Sequence, residues 1–213
     1  MKGKTIISDL LKAFMAGVFI SIGGAVFLAL APENKIAAAL FFTVGLFGVL
    51  FYGFNLYTGK IGYAVNEKPK YILFLLLVLC GNLLGTLGAG LLVRLALPSA
   101  AEYGAAVSAA KLDLPLLSVF IKAVFCGILM FFAVDGYRRL EKGFLKAVAV
   151  VLGVAVFILA GFEHCVADMF YFTAGGAWSP YAALWILIAV AGNSVGSIIF
   201  ALAVKIYEKL AKK

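Results

Sequence analysis

The chain has 213 residues, 65% of them hydrophobic and only 13% charged, with a formal net charge of +8 and a mean hydropathy of +1.11. Soluble domains carry about 25% charged residues, so this composition excludes a soluble globular protein and indicates a single integral membrane domain over 1–213. The basic excess is segregated along the chain in a way that reports topology and excludes a nucleic-acid partner.

Six apolar stretches run about 12–31, 36–57, 71–97, 116–134, 147–172 and 181–206. Each is near the roughly 20 residues needed to cross the hydrocarbon. The first is too long for a signal-peptide core, carries Gly17, Gly23 and Gly24, and has no clear small-x-small cleavage site, so it reads as a span. Lys2, Lys4 and Lys12 precede or open that span, and Lys60, Lys68 and Lys70 follow the second. Arg138, Arg139, Lys142 and Lys146 follow the fourth, and Lys205, Lys209, Lys212 and Lys213 end the chain. That puts 14 of the 18 basic residues on one side, which predicts cytoplasmic termini and outward-facing segments around Pro32, Glu102 and Ala177. Cys80, Cys126 and Cys165 lie in apolar spans without CxxC spacing, which argues against a disulfide framework or a metal site.

The two halves, about 1–110 and 111–213, repeat. Lys12-Ala13 with Gly17 echoes Lys122-Ala123 with Gly127, and Gly53-Phe54 echoes Gly161-Phe162. Gly81-Asn82-x-x-Gly85 echoes Gly192-Asn193-x-x-Gly196. Three spans per half give the halves opposite orientations in the membrane, and such inverted repeats place their site near the midplane, often at interrupted helices. The GNxxG motifs have the spacing of close helix packing, and packing is the simpler reading of them.

The second stretch loses its apolar character at Asn55-Leu56-Tyr57-Thr58-Gly59, and the fifth contains Glu163, His164 and Asp168. Non-helical backbone at membrane depth survives only where protein buries it or water reaches it, so the expected architecture is all-α, with helices 2 and 5 broken around a pore. His164 is the only histidine. An ionisable group at that depth is a functional-site candidate by default. The alternative, a buried histidine satisfied by a backbone carbonyl, is weakened by Glu163 beside it and Asp168 four residues on.

Phe14 to Gly24, Leu56-Tyr57-Thr58-Gly59, Gly81-Asn82-x-x-Gly85, Gly127-Ile128-Leu129, the run Gly161 to Met169 and Gly192-Asn193 resemble the formate/nitrite transporter family. The Phe162-Glu163-His164-x-x-Ala167-x-Met169 run is the specific part. The resemblance implies an aquaporin-like protomer, a homopentamer with one pore per subunit, and passage of small monovalent anions such as formate, nitrite, hydrosulfide, acetate or lactate, with a proton as partner. It also implies that His164 is the central pore histidine and Thr58 the threonine at the first break. Leu56 and Tyr57 match one apolar constriction, and Phe42, Leu46 and Phe157 the other. Tyr57 adds a hydroxyl where the family usually has Phe, which suggests a wetter gate. Met130-Phe131 stands where a polar residue is usual, and Asp168 where Asn is usual.

A bare anion pays a large desolvation penalty in two greasy constrictions. A proton donor between them removes it, and histidine titrates nearest physiological pH, so His164 is expected to protonate the anion. Lys12 and Lys122 either concentrate anions at the two mouths or snorkel to the interface. A pore for water or a neutral solute on the same fold is the alternative, suggested by Phe131 and Asp168. An enzyme is not expected: one histidine with Glu163 adjacent is poor ligand geometry on a helix, and no HExxH is present. No catalytic residue, cofactor or metal is therefore assigned.

Overall fold

The computed structural model describes residues 3–211. Of the basic residues that set the expected topology, Lys2, Lys212 and Lys213 lie outside that range, as does the side chain of Lys4. The regular structure of the described residues is all helical: α1 (Gly3–Leu30), α2 (Lys35–Phe51), α3 (Tyr57–Lys60), a 3-10 turn (Ile61–Asn66), α4 (Tyr71–Ala96), α5 (Pro98–Leu112), α6 (Leu116–Arg139), α7 (Gly143–Ala160), α8 (Cys165–Ala174) and α9 (Pro180–Ala211). Five of these are long and apolar enough to cross a membrane: Thr5–Leu30, Tyr71–Ala96, Leu116–Arg139, Gly143–Ala160 and Pro180–Ala211. The second expected stretch, 36–57, holds the shorter α2 of 17 residues, and the fifth, 147–172, is divided between α7 and α8. Large apolar side chains such as Phe41, Phe51, Leu95 and Phe144 face outward, as they must on a surface that meets hydrocarbon instead of water.

Both interruptions are built the same way. After α2, Gly53 has φ of 64°, and after α7, Gly161 has φ of 71°, a region that side chains strongly disfavour. At the first, Phe54 N–H reaches back to the Val49 carbonyl (2.8 Å) and Gly53 N–H to Leu50 (3.3 Å). At the second, Phe162 N–H reaches Phe157 (2.9 Å) and Gly161 N–H reaches Ile158 (3.2 Å). These are paired Schellman closures, which satisfy the last helical carbonyls as the chain turns out of the helix.

The glycines read as packing residues do pack. A Cβ on Gly17 would overlap the Asn82 carbonyl oxygen, and one on Gly127 that of Asn193. Backbone-close contact of this kind seats α1 on α4 and α6 on α9. A feature absent from the sequence reading is α5, a helix of small residues within what was expected to be an outward-facing segment. Its Ser108 hydroxyl donates to Gly104 and to the Tyr171 carbonyl of α8 (2.7 and 3.1 Å), and this contact brings Lys111, near its C-terminus, over the second break.

Candidate functional site

Two buried asparagines hold the broken segments. Asn82 accepts from Tyr57 N–H (2.9 Å) and donates to the Ala13 and Asn55 carbonyls (2.8 and 2.9 Å). Asn193 accepts from Cys165 N–H (2.9 Å) and donates to the Ala123 and Glu163 carbonyls (2.8 Å each). Each thus ties the start of a half-helix, the non-helical backbone before it, and the neighbouring long helix. The GNxxG motifs therefore combine packing glycines with a polar clamp, a role that reading them as packing alone missed.

So clamped, Thr58 at the start of α3 and His164 at the start of α8 face each other, with Oγ1 and Nε2 3.0 Å apart. His164 Nδ1 accepts from Ala167 N–H (3.0 Å) as the N-cap of α8. An accepting Nδ1 leaves the proton of a neutral ring on Nε2, so Nε2–H donates to Thr58 Oγ1 and the threonine's own hydroxyl proton is uncommitted. The Phe157 ring stacks on the imidazole (5.5 Å between centroids) and meets Phe42 edge-on (5.9 Å). Phe42, Leu46, Leu56 and Phe157 are all buried. Tyr57 is also buried, and its hydroxyl lies 2.9 Å from Ser194 Oγ. Ser194 gives its own proton to the Val190 carbonyl (2.6 Å), so Tyr57 is the donor and its added hydroxyl is already engaged. Phe131 packs at 5.0 Å on Tyr63, and the polar partner of His164 is Thr58.

Two cavities have linings that include one of the pair or its chain neighbours. One of about 390 Å3 is lined by Lys35, Tyr103, Lys111, Lys122, Glu163, Asp168 and Tyr171, and ends at Phe157 and His164. The other, about 220 Å3, is lined by Lys60, Tyr137 and Arg138 and ends at Leu56 and Gly59. The first contains an ionic knot. Lys111 pairs with Glu163, and with Asp168 Oδ1 at 2.9 Å; Lys122 stands 3.8 Å from the other Glu163 oxygen. Asp168, the carboxylate that stands where Asn is usual, has its base in Lys111. Lys111 was not among the expected site residues. The signal for it was indirect: two carboxylates at membrane depth require a cation. Lys12 does not line either cavity; its carbonyl accepts from Asn55 N–H (3.3 Å).

Among the described residues no three His, Cys, Asp or Glu side chains converge as metal ligands. Cys165 is fully buried, and its backbone N–H serves the Asn193 clamp.

Residues 3–207 match the family described as Formate/nitrite transporter. The formate channel FocB of Escherichia coli (strain K12) is 28% identical over 184 residues, which cover 77% of this chain and 65% of FocB. The chain thus spans about two thirds of the length of that curated relative. A solved structure described as an FNT family ion channel superposes with a TM-score of 0.84 at 22% identity, covering 95% of this chain and 90% of that one. One described as a pentameric formate channel with formate bound gives 0.78 at 22% identity, with both chains fully covered. These structures share the fold of this chain, and with the family match running over nearly all of its length, the chain belongs to the formate/nitrite transporter family.

Proposed function

We propose that this chain forms a homopentameric channel of the cell membrane in which each protomer passes a small monovalent anion of a weak acid across the Thr58–His164 pair. The observation that carries this reading is the buried pair itself, with the Phe157 ring stacked on His164 and Phe42 against that ring, His164 lining one cavity and Leu56 and Gly59, to either side of Thr58 in the chain, lining the other. It offers a single polar contact in an apolar constriction, where a bare charge is disfavoured and an acid neutralised by a proton is not. The protomer is a six-span inverted repeat with helices 2 and 5 broken and both termini cytoplasmic. The matched Asn82 and Asn193 clamps and the paired glycine turns support the repeat, and the 14 basic residues on one side support the orientation.

His164 acts in this arrangement as a neutral donor. A second proton on Nδ1 would confront Ala167 N–H and uncap α8, so the ring's bonds favour polarising Thr58 over handing a proton to the anion. A second reading, a pore for water or a neutral solute, is favoured by the pairing of Lys111 and Lys122 with Glu163 and Asp168, which offsets two of the three lysine charges lining the larger cavity.

Proteoliposome flux of formate, nitrite, hydrosulfide, acetate, lactate and water at two pH values separates the readings. Anion uptake rising at lower pH is expected, and water flux without anion flux would overturn the anion reading. Native mass spectrometry in mild detergent should show five subunits; a dominant monomer or dimer would remove the pentamer.

A further inference from the structure

The ionic knot in the larger cavity leaves one atom unaccounted for. Asp168 is 1% exposed and lines the cavity, and its Oδ1 pairs with Lys111. Its Oδ2 has no hydrogen-bond partner. An unsatisfied buried carboxylate oxygen is costly to leave unpaired, and rotation about the soft terminal torsion of aspartate exchanges which oxygen Lys111 holds. Lys122 lines the same cavity, its Nζ 3.8 Å from Glu163 and its side chain 33% exposed. That separation is beyond a hydrogen bond, so its donors are free to meet an anion. The cavity of about 390 Å3 is far larger than a one-carbon anion fills, since a water molecule occupies about 30 Å3 of liquid volume.

A cation with free donors and a carboxylate with a free acceptor, lining one cavity of that size, suit a ligand with an anionic head and a hydroxyl beside it. We propose that Asp168 is a specificity-determining residue that makes the larger cavity select short 2-hydroxy monocarboxylates over the same acids lacking the hydroxyl, with the carboxylate on Lys122 and the hydroxyl donating to Asp168. Formate and acetate have no donor to offer Asp168 when ionised and leave its oxygen unpaired. Sites built to receive a substrate hydroxyl discriminate strongly against the analogue that lacks it, because their own polar group is then left bare. The selection rests on the anion-channel reading for its transport consequence and on the cavity alone for binding.

Glycolate and acetate differ only by the hydroxyl and form the test pair. Half-saturation is measured by flux in proteoliposomes. Binding is measured separately by tryptophan fluorescence in detergent, since the Trp185 ring lies 5.8 Å from Lys111 Nζ. The wild-type protein should favour glycolate by about tenfold in both measurements, the scale of one hydrogen bond to a charged group. Asp168→Ala should reduce that preference to within about twofold, and Asp168→Asn, which keeps an acceptor but loses the charge, should fall between. Equal handling of glycolate and acetate by the wild-type protein, or a preference that survives Asp168→Ala, would overturn the proposal. Preferential glycolate binding without flux of either anion would remove the transport reading and leave the selection standing.

Discussion

Asn82 and Asn193, 111 positions apart in the sequence, form the same three hydrogen bonds to equivalent parts of the two halves. One amide side chain thus serves a half-helix start, the extended backbone before it and the adjacent long helix, on each side of the Thr58–His164 contact. Non-helical backbone at membrane depth needs such partners, because neither lipid nor water supplies them there.

Removing either clamp should therefore destabilise the whole protomer. Asn82→Ala and Asn193→Ala are each expected to cost about 2–4 kcal/mol, the sum of several buried groups left unpaired. The thermal unfolding midpoint of the detergent-solubilised protein should fall well below that of the wild type in both, and an unchanged midpoint would show that the breaks are held by something else.

His164→Asn separates donor from proton carrier. Asparagine is a good N-cap and keeps Ala167 N–H satisfied, so yield and assembly should be unchanged, but its shorter side chain does not reach Thr58. Flux should drop by about tenfold, the scale of one lost hydrogen bond, while what remains keeps its pH dependence. A pH-independent residue of flux would assign proton delivery to His164 itself.

Lys111 balances two carboxylates, and Lys111→Met leaves the buried Asp168 charge without its partner. Breaking a buried ion pair from one side costs about 3–5 kcal/mol, so this variant should express poorly or melt early. Adding Asp168→Asn should restore much of the lost stability. If the double variant is no better than the single one, the knot is not the source of the loss.

Orientation is open to direct chemical labelling. In a background lacking Cys80, Cys126 and Cys165, single cysteines at positions 32, 102 and 177 should react with a membrane-impermeant thiol reagent applied to intact cells. Protection of all three would invert the topology.

The helical architecture and the glycine turns at Gly53 and Gly161 were legible in the sequence because each leaves a mark in residue type: apolar runs where lipid is met, glycine where the chain must reverse. The parts that were not legible depend on distance across the fold. Nothing near Lys111 in the chain announces that α5 folds back over α8 to deliver it to Glu163 and Asp168, since Pro98–Leu112 is a run of small residues without a strong apolar face. The clamps were half legible: Asn82 and Asn193 stood out within their motifs, but the bonds they make join residues 25 to 70 positions apart. Likewise, the hydroxyl on Tyr57 promised a wetter gate until Ser194, on a helix far along the chain, took it up.

The two mouths are electrically unlike. Lys60 and Arg138 line the smaller cavity with no carboxylate among its described lining residues, while in the larger one Lys111 and Lys122 are set against Glu163 and Asp168 and Lys35 alone is left over. An anion approaching Lys60 and Arg138 meets a field that attracts it over a screening length of about 8 Å at physiological salt; an anion approaching from the other end meets lysines largely offset by carboxylates. In the proposed channel this makes the conduit a weak rectifier, with capture faster from the end that carries the chain termini and most sensitive to ionic strength there.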